Sequence, residues 1–310
     1  AGILALDDSI LFTCIPHLWK LQDKNQDRKA ELKQALHKGF GVRVGVHGHD
    51  LHGLIQGPDG MIYFTVGDRG YDVVGHDGIR LHESHCGAVF RCYPDGSHLE
   101  VFHQGLRNPQ ELAFNDYGDL FTVDNNMSGG DECRILHLLE GADSGWDATY
   151  QLAGHFRSET KRPNHPKPIW FSEKLWSKPF PGQPHWHNPA VGHLSRGPSG
   201  LAHYPGTGLS DEYQDTFFLA DFVGNQANSG ILSFKLASNG ASYRLEKSER
   251  FVWNILATDL EFGNDGSLYI SDWLNGWTGT GKGRIWKVES SSNAQDHSGS
   301  NQESIKTRSY

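Results

Sequence analysis

The stretch GPDGMIYFTVGD (57–68) begins with a turn, continues as a short apolar run, and ends in an acid. The same phrase returns as NDYGDLFTVD (115–124), DEYQDTFFLAD (211–221) and GNDGSLYISD (263–272), with a weaker copy in LDDSILFTCI (6–15). After each copy come a loop and a second run, such as GAVFRCYPDG (87–96), GILSFKLASNG (230–240) or GRIWKVE (283–289). Most copies also follow a third short run: HGLIQG, QELAFN, SGLAHY or TDLEFG. In GSLYISD, Leu268 and Ile270 alternate with Tyr269 and Ser271, the period of a strand. The PDG, NDG and SNG tripeptides supply the turns. A unit of strand, turn, strand, loop and strand repeated along one chain is a propeller blade. Five such units are visible, so the predicted fold is an all-β β-propeller over residues 1–288.

Bulk composition agrees. Hydrophobic residues are 37% of the chain, modest for a single deep core but enough for thin strips buried between blades. The 37 glycines suit a turn-rich β chain rather than a helical bundle. One segment departs from the strand pattern. DRKAELKQALHKG (27–39) has the Ala/Leu/Lys composition of a helix, with Gly39 as its stop. Residues 146–197 interrupt the rhythm with KPIWFSEKLWSKPFPGQPHWH and read as an inserted loop forming a binding surface. The Ser-rich tail, 289–310, reads as disordered. The four cysteines, Cys14, Cys86, Cys92 and Cys133, form no CxxC pattern. Cys86 and Cys92 fall on one predicted strand, roughly 20 Å apart, too far for a bridge. A net charge of −9 without a basic stripe argues against nucleic acid. No apolar run is long enough to span a membrane, and no signal peptide is visible.

In a propeller the innermost strands begin at one mouth of a central channel, so equivalent positions converge there. VHGHDLHG (46–53) places His47, His49 and His52 with Asp50 at one such entrance. Pairing of strand 53–57 with 61–66 would bring His49 to Asp68, and an acid beside a histidine orients the ring and raises its basicity. GLRNPQEL (105–112) brings Arg107, whose guanidinium suits an anionic cofactor or substrate, with Asn108 and Gln110 beside it. VDNNMSGGDECR (123–134) concentrates Asp124, Asn125 and Asp131 around two glycines, a set of hard oxygen donors suited to Ca²⁺. Asp221 and Asp272 end the equivalent strands of later repeats and join Asp124 and Asp131 as expected metal ligands. The competing reading of these acids is that they cap turns by accepting backbone N–H groups.

These same phrases, in order HDLHGLIQGPDGMIYFTVGDRG, GLRNPQELAF, SGWDATY, EKLW, GPSGL, ILATD and GKGRI, resemble the glucose/sorbosone dehydrogenase superfamily. The similarity is greatest to its membrane-bound dehydrogenase domain branch, often fused to a CxxCH haem module that is absent here. The resemblance implies a six-bladed propeller, pyrroloquinoline quinone (PQQ) over the channel, Ca²⁺ beneath it, and hydride abstraction from a sugar or alcohol. By motif, His49 corresponds to the catalytic base, Asp68 to its acid partner and Arg107 to the arginine on the substrate oxygen, with Asn108 adjacent. The stretches matching the family's PQQ-carboxylate cations, ADFVGN (220–225) and ILATDL (255–260), contain none, so Arg69, Arg196 or Lys282 would have to substitute, with His52, Asn108 and Gln110 as further candidate cofactor contacts. The resemblance further implies a periplasmic or secreted enzyme with a small-molecule substrate, and a homo-oligomer if five blades leave the ring incomplete. Two other functions fit the same residues. One is a Ca²⁺-dependent hydrolase of lactonase or phosphotriesterase type, and the other a non-catalytic glycan binder using Trp170, Trp176 and Trp186 as stacking platforms.

Overall fold

The computed structural model describes residues 1–42, 48–127, 130–150, 169–278, 281–290 and 305–306. The chain is nearly all β and is a β-propeller of five blades. It divides into two compact units, Ala1–Leu194 with three blades and Ser195–Tyr310 with two.

In the first unit, blade one is β1 (Ile3–Ala5), β2 (Ile10–Cys14), β3 (His17–Gln22) and β4 (Leu32–Lys38), each paired antiparallel to the next. Blade two is β5 (Leu51–Gln56), β6 (Ile62–Val66), β9 (Gly87–Cys92) and β10 (Glu100–Leu106). Between β6 and β9 the chain makes a separate hairpin, β7 (Tyr71–Val74) and β8 (Arg80–Glu83). Blade three is β11 (Ala113–Phe114), β12 (Leu120–Asp124), β13 (Arg134–Leu138) and β15 (Ala190–His193). The short β14 (Ala142–Asp143) leaves that blade to pair in parallel with β10, giving blade two a fifth strand.

In the second unit, blade four is β16 (Pro198–His203), β17 (Thr216–Asp221), β18 (Gly230–Asn239) and β19 (Ser242–Trp253). Blade five is β20 (Ala257–Phe262), β21 (Leu268–Asp272), β22 (Arg284–Val288) and β23 (Ile305–Lys306). The core lies between neighbouring blades. Leu11, Leu18 and Leu36 of blade one pack on Ile62, Phe64 and Phe90 of blade two. Met61, Tyr63 and Leu106 of blade two meet Leu112, Leu120 and Leu136 across the next junction. Phe218, Ala220 and Ile231 of blade four meet Leu260, Leu268 and Ile270 of blade five.

Three expectations change. The segment 27–39 is not a helix: residues 32–38 form β4, the outer strand of blade one. Its helix-favouring composition is overridden by pairing with β3 and by burial of Leu36 and His37. The turn before it takes positive φ at Gln26 and Arg28, and the Asp23 carboxylate accepts the amides of Asp27 and Arg28. The insert 146–197 is not wholly loop: it contains a short helix, α1 (Ile169–Ser172), and β15, the fourth strand of blade three. Trp170 and Trp176 are not exposed platforms but lie buried with Trp146 in an aromatic core, whereas Trp186 is exposed. Most of the tail expected to be disordered lies outside the described residues, as do His47 and part of the 123–134 loop. All four cysteines are free, and three are buried; burial pushes the Cys86 thiol up to about 12.

Candidate active site

The first unit gathers His49, Asp68, Arg107, Asn108 and Asp124 around the starts of two inner strands. The register of β5 on β6 pairs Leu51 with Val66. The next step outward is held by Gly67, whose amide donates to the Asp50 carbonyl at 2.9 Å. Glycine is required there, because a Cβ at Gly67 would lie 2.8 Å from the His49 backbone. One step further His49 faces Asp68, and His49 Nδ1 donates to Asp68 Oδ1 at 2.7 Å. Both residues are buried, His49 at 5% and Asp68 at 4% exposure, so the bond is shielded from competing water. His49 Nε2 makes no hydrogen bond among the described residues. With its Nδ1 proton fixed on the carboxylate, the ring keeps an acceptor lone pair at Nε2.

The second oxygen of Asp68 accepts from the indole Nε1 of Trp146 at 2.9 Å. Trp146 arrives from the segment after β14 and is itself buried. Its ring faces the Arg107 guanidinium at 5.7 Å and meets Trp170 edge-on at 5.2 Å. Trp170 in turn lies under Arg134 at 5.1 Å, and Arg134 Nη2 pairs with Asp124 Oδ2 at 2.6 Å. The Asp124 carboxylate also accepts the amides of Arg107 and Asn108 at 3.0 and 2.8 Å. The circuit closes through the backbone, where Asp68 N donates to Arg107 O at 2.7 Å.

Arg107 is the cation of this site. It makes no ion pair among the described residues, and its buried Nε has no hydrogen-bond partner there. Burial lowers its pKa, opposed by the charges of Asp68, Asp124 and Asp131. Oδ1 of Asn108 is likewise buried without a partner. Buried polar atoms normally find partners, so these two orphans, on residues whose backbone bonds Asp68 and Asp124, mark a place shaped for a bound polar group.

The other expected site residues fall elsewhere. The His52 ring bonds the Gly48 carbonyl through Nε2 at 2.7 Å, holding the loop that carries His49, and burial pushes its pKa down to about 3. Gln110 lies between the Pro109–Asp124 bridge and β11, partly exposed. Arg69 turns into a cleft beside the β7–β8 hairpin.

The expected metal ligands serve as caps. Asp124 is occupied as described. Asp221 takes the Ser195 hydroxyl and the amides of Arg196 and Gly197 on one oxygen, which leaves Arg196 in the second unit as a backbone donor. Asp272 takes the amides of Leu256 and Leu274 on one oxygen and the Trp286 indole on the other. Asp131 accepts from Met127 N at 2.7 Å and the Trp170 indole at 3.4 Å. Asn125 Oδ1 lies 3.7 Å from the Cys133 thiol. Ca²⁺ takes carboxylate, carbonyl and water oxygens, and here N–H donors already engage the carboxylates of Asp124, Asp221 and Asp272. As held here, Asp124, Asp221 and Asp272 do not fit a Ca²⁺ ligand role. Sequence reading passed over Trp146 and Arg134, although a buried indole N–H always needs an acceptor.

A family model described as a domain of unknown function, DUF7133, matches residues 1–278. The chain belongs to that family. Quinoprotein glucose dehydrogenase B of Acinetobacter calcoaceticus is 27% identical to this DUF7133 chain over 125 residues. The match spans 32% of the chain and only about a quarter, 26%, of that relative. Among solved structures, a Thermus thermophilus oxidoreductase described as a glucose dehydrogenase superposes with a TM-score of 0.60 at 18% identity. That match covers 90% of the DUF7133 chain and 77% of the other. The PQQ-bound aldose sugar dehydrogenase of Streptomyces coelicolor gives 0.56 at 17% identity, covering 90% and 74%. The DUF7133 domain therefore shares the propeller of the sugar dehydrogenases and resembles the PQQ-dependent glucose/sorbosone branch in sequence.

Proposed function

We propose that this chain is a propeller dehydrogenase that oxidises a sugar or alcohol hydroxyl, with His49 as general base. The observation that carries the reading is the buried His49–Asp68 pair with Nε2 unengaged, next to an arginine without a counterion among the described residues. His49 Nε2 accepts the hydroxyl proton. Asp68 holds the ring in the right tautomer and stabilises the imidazolium that forms, while the Trp146 indole fixes the carboxylate from its other side. Arg107 sits where negative charge gathers on the substrate oxygen, in a setting dry enough to strengthen that attraction. Arg107 and Asn108 also fit an anionic, hydrogen-bonding cofactor, offering a buried N–H donor and a buried carbonyl acceptor. When bound, PQQ supplies two-electron acceptor chemistry. The hydrolase reading needs carboxylates free for a metal, and Asp124, Asp221 and Asp272 are engaged by N–H donors. The similarity to quinoprotein dehydrogenases favours a periplasmic or secreted enzyme acting on a small molecule.

Reconstitution with PQQ and a dye acceptor, assayed over aldoses, polyols and simple alcohols, tests the reading. Dye reduction is expected, and His49→Gln should lower it by about 10²–10⁴-fold. Absence of reduction with every substrate, after PQQ binding has been verified by absorbance, overturns it.

A further inference from the structure

A cleft of about 430 Å³ opens in the first unit between the end of blade one and the β7–β8 hairpin. Its floor is bare backbone. Gly39, at φ 128°, accepts the Asp72 amide at 2.8 Å, and a Cβ there would lie 2.0 Å from the Asp72 carbonyl oxygen. Gly41 N donates to Gly70 O at 2.7 Å and extends the same floor.

Two cations of the wall, Arg69 and Lys38, make no ion pair among the described residues. Arg69 reaches into the cleft, its Nε is buried without a partner, and the side chain makes no hydrogen bond or ion pair among the described residues. Lys38, the last residue of β4, is exposed on the same wall and is also unpaired among the described residues. The acids nearby are engaged. Asp72 forms a two-pronged pair with Arg80 at 2.6 and 2.7 Å. Glu83 Oε1 accepts the amides of Ser84 and His85. Asp50, whose buried Oδ1 lies near Gly41, is shifted toward its neutral form by burial, against the pull of Arg69 and His49. Arg69 and Lys38 thus lack a direct ion-pair partner among the described residues, with Glu83 and Asp50 the acids near them, and an unpaired buried guanidinium nitrogen calls for an acceptor. In sequence Arg69 directly follows Asp68 and Asp50 directly follows His49, and Asp50 lies within electrostatic reach of both Arg69 and His49.

We propose that this cleft is an anion subsite that binds the carboxylate or sulfate of an acidic sugar whose reacting hydroxyl lies at His49. The proposal rests on the reading of His49 as the base, and it narrows the substrate class from sugars in general to charged ones. A guanidinium fork and a lysine lining one cleft suit a planar carboxylate or a tetrahedral sulfate.

Titration calorimetry of the full chain with glucuronate, glucose 6-sulfate and glucose tests it. At least one anionic sugar is expected to bind about tenfold or more tightly than glucose, an advantage that shrinks with added salt. Stronger binding of glucuronate identifies a carboxylate, and stronger binding of the sulfate ester identifies a sulfate. Arg69→Gln should erase most of the advantage and Lys38→Gln part of it. Lys38 is exposed, so its variant decides the matter if Arg69→Gln does not fold by circular dichroism. Equal affinity for all three sugars, or an advantage unchanged in these variants, overturns the proposal. His49→Gln separates the two readings, because it should lower dye reduction by about 10²–10⁴-fold while keeping the preference for the anionic sugar. If the wild-type chain shows that preference in calorimetry but reduces no dye, the subsite stands and the dehydrogenase reading falls.

Discussion

Asp124 is the last residue of β12, and Asp68 follows two residues after the end of β6 in the neighbouring blade, and the two aspartates do different work. Asp124 closes β12 by accepting the amides of Arg107 and Asn108, and its charge is matched by Arg134. Asp221 and Asp272 follow that pattern at the ends of β17 and β21, each taking backbone N–H groups at the start of its own blade's inner strand. Asp68 instead gives its two oxygens to side chains, His49 and Trp146. The repeat therefore supplies a structural carboxylate in each of these blades, and one of them has been redirected to hold an imidazole. Two histidines of blade two show the same division. His103 on β10 has both ring nitrogens engaged, by the Leu139 backbone and the Ser144 hydroxyl, whereas His49 keeps one nitrogen open.

The largest effects should come from exchanging amide for acid at the two strand ends. Asp68→Asn should leave the fold intact but lower dye reduction by about 10³–10⁴-fold, because the tautomer of His49 is no longer enforced. Asp124→Asn should do the reverse, costing about 3–5 kcal/mol in urea unfolding, because Arg134 is left buried without its partner. If both variants lose stability alike, the contrast between the two aspartates is wrong.

A smaller effect should separate the histidines by pH. Burial pushes the His103 pKa down to about 4 from its ordinary 6.5. The unfolded chain thus binds a proton that the folded chain refuses. The stability from neutral His103 is complete above pH 6.5 and is lost as pH falls from 6.5 through 4. The full loss is on the order of 3 kcal/mol. Unfolding measured at about pH 7 and about pH 4.5 should show this slope in the parent, and His103→Asn should flatten it.

The smallest effect tests the second partner of Asp68. Trp146→Phe keeps the ring but removes the indole N–H, and should cost about 1 kcal/mol in stability and about tenfold in turnover. An unchanged rate would mean that His49 alone positions the carboxylate.

The blades were legible because their three inner strands share a turn, an apolar run and a terminal acid. The outer strands were not. β19, SYRLEKSERFVW, is largely exposed and so carries no apolar alternation, and β4 has the composition of a helix. The His49–Asp68 pair followed from strand register, since a hairpin fixes which residues face each other. The division of labour among the aspartates did not follow, because a backbone amide leaves no trace in the sequence of what it donates to. Trp146 lies 78 residues from Asp68, and their meeting depends on β14 crossing to blade two, a connection set by two residue pairs.

This asymmetry in partners governs how freely the chain can drift. Any residue but proline brings an amide, so the grip of the aspartates on positions 107, 108, 196 and 256 does not depend on the side chains there, whereas Gly197 is fixed because a Cβ would lie 1.9 Å from the Phe222 carbonyl oxygen. Positions 49 and 146 have no such latitude, since only an imidazole and an indole deliver what Asp68 receives from them.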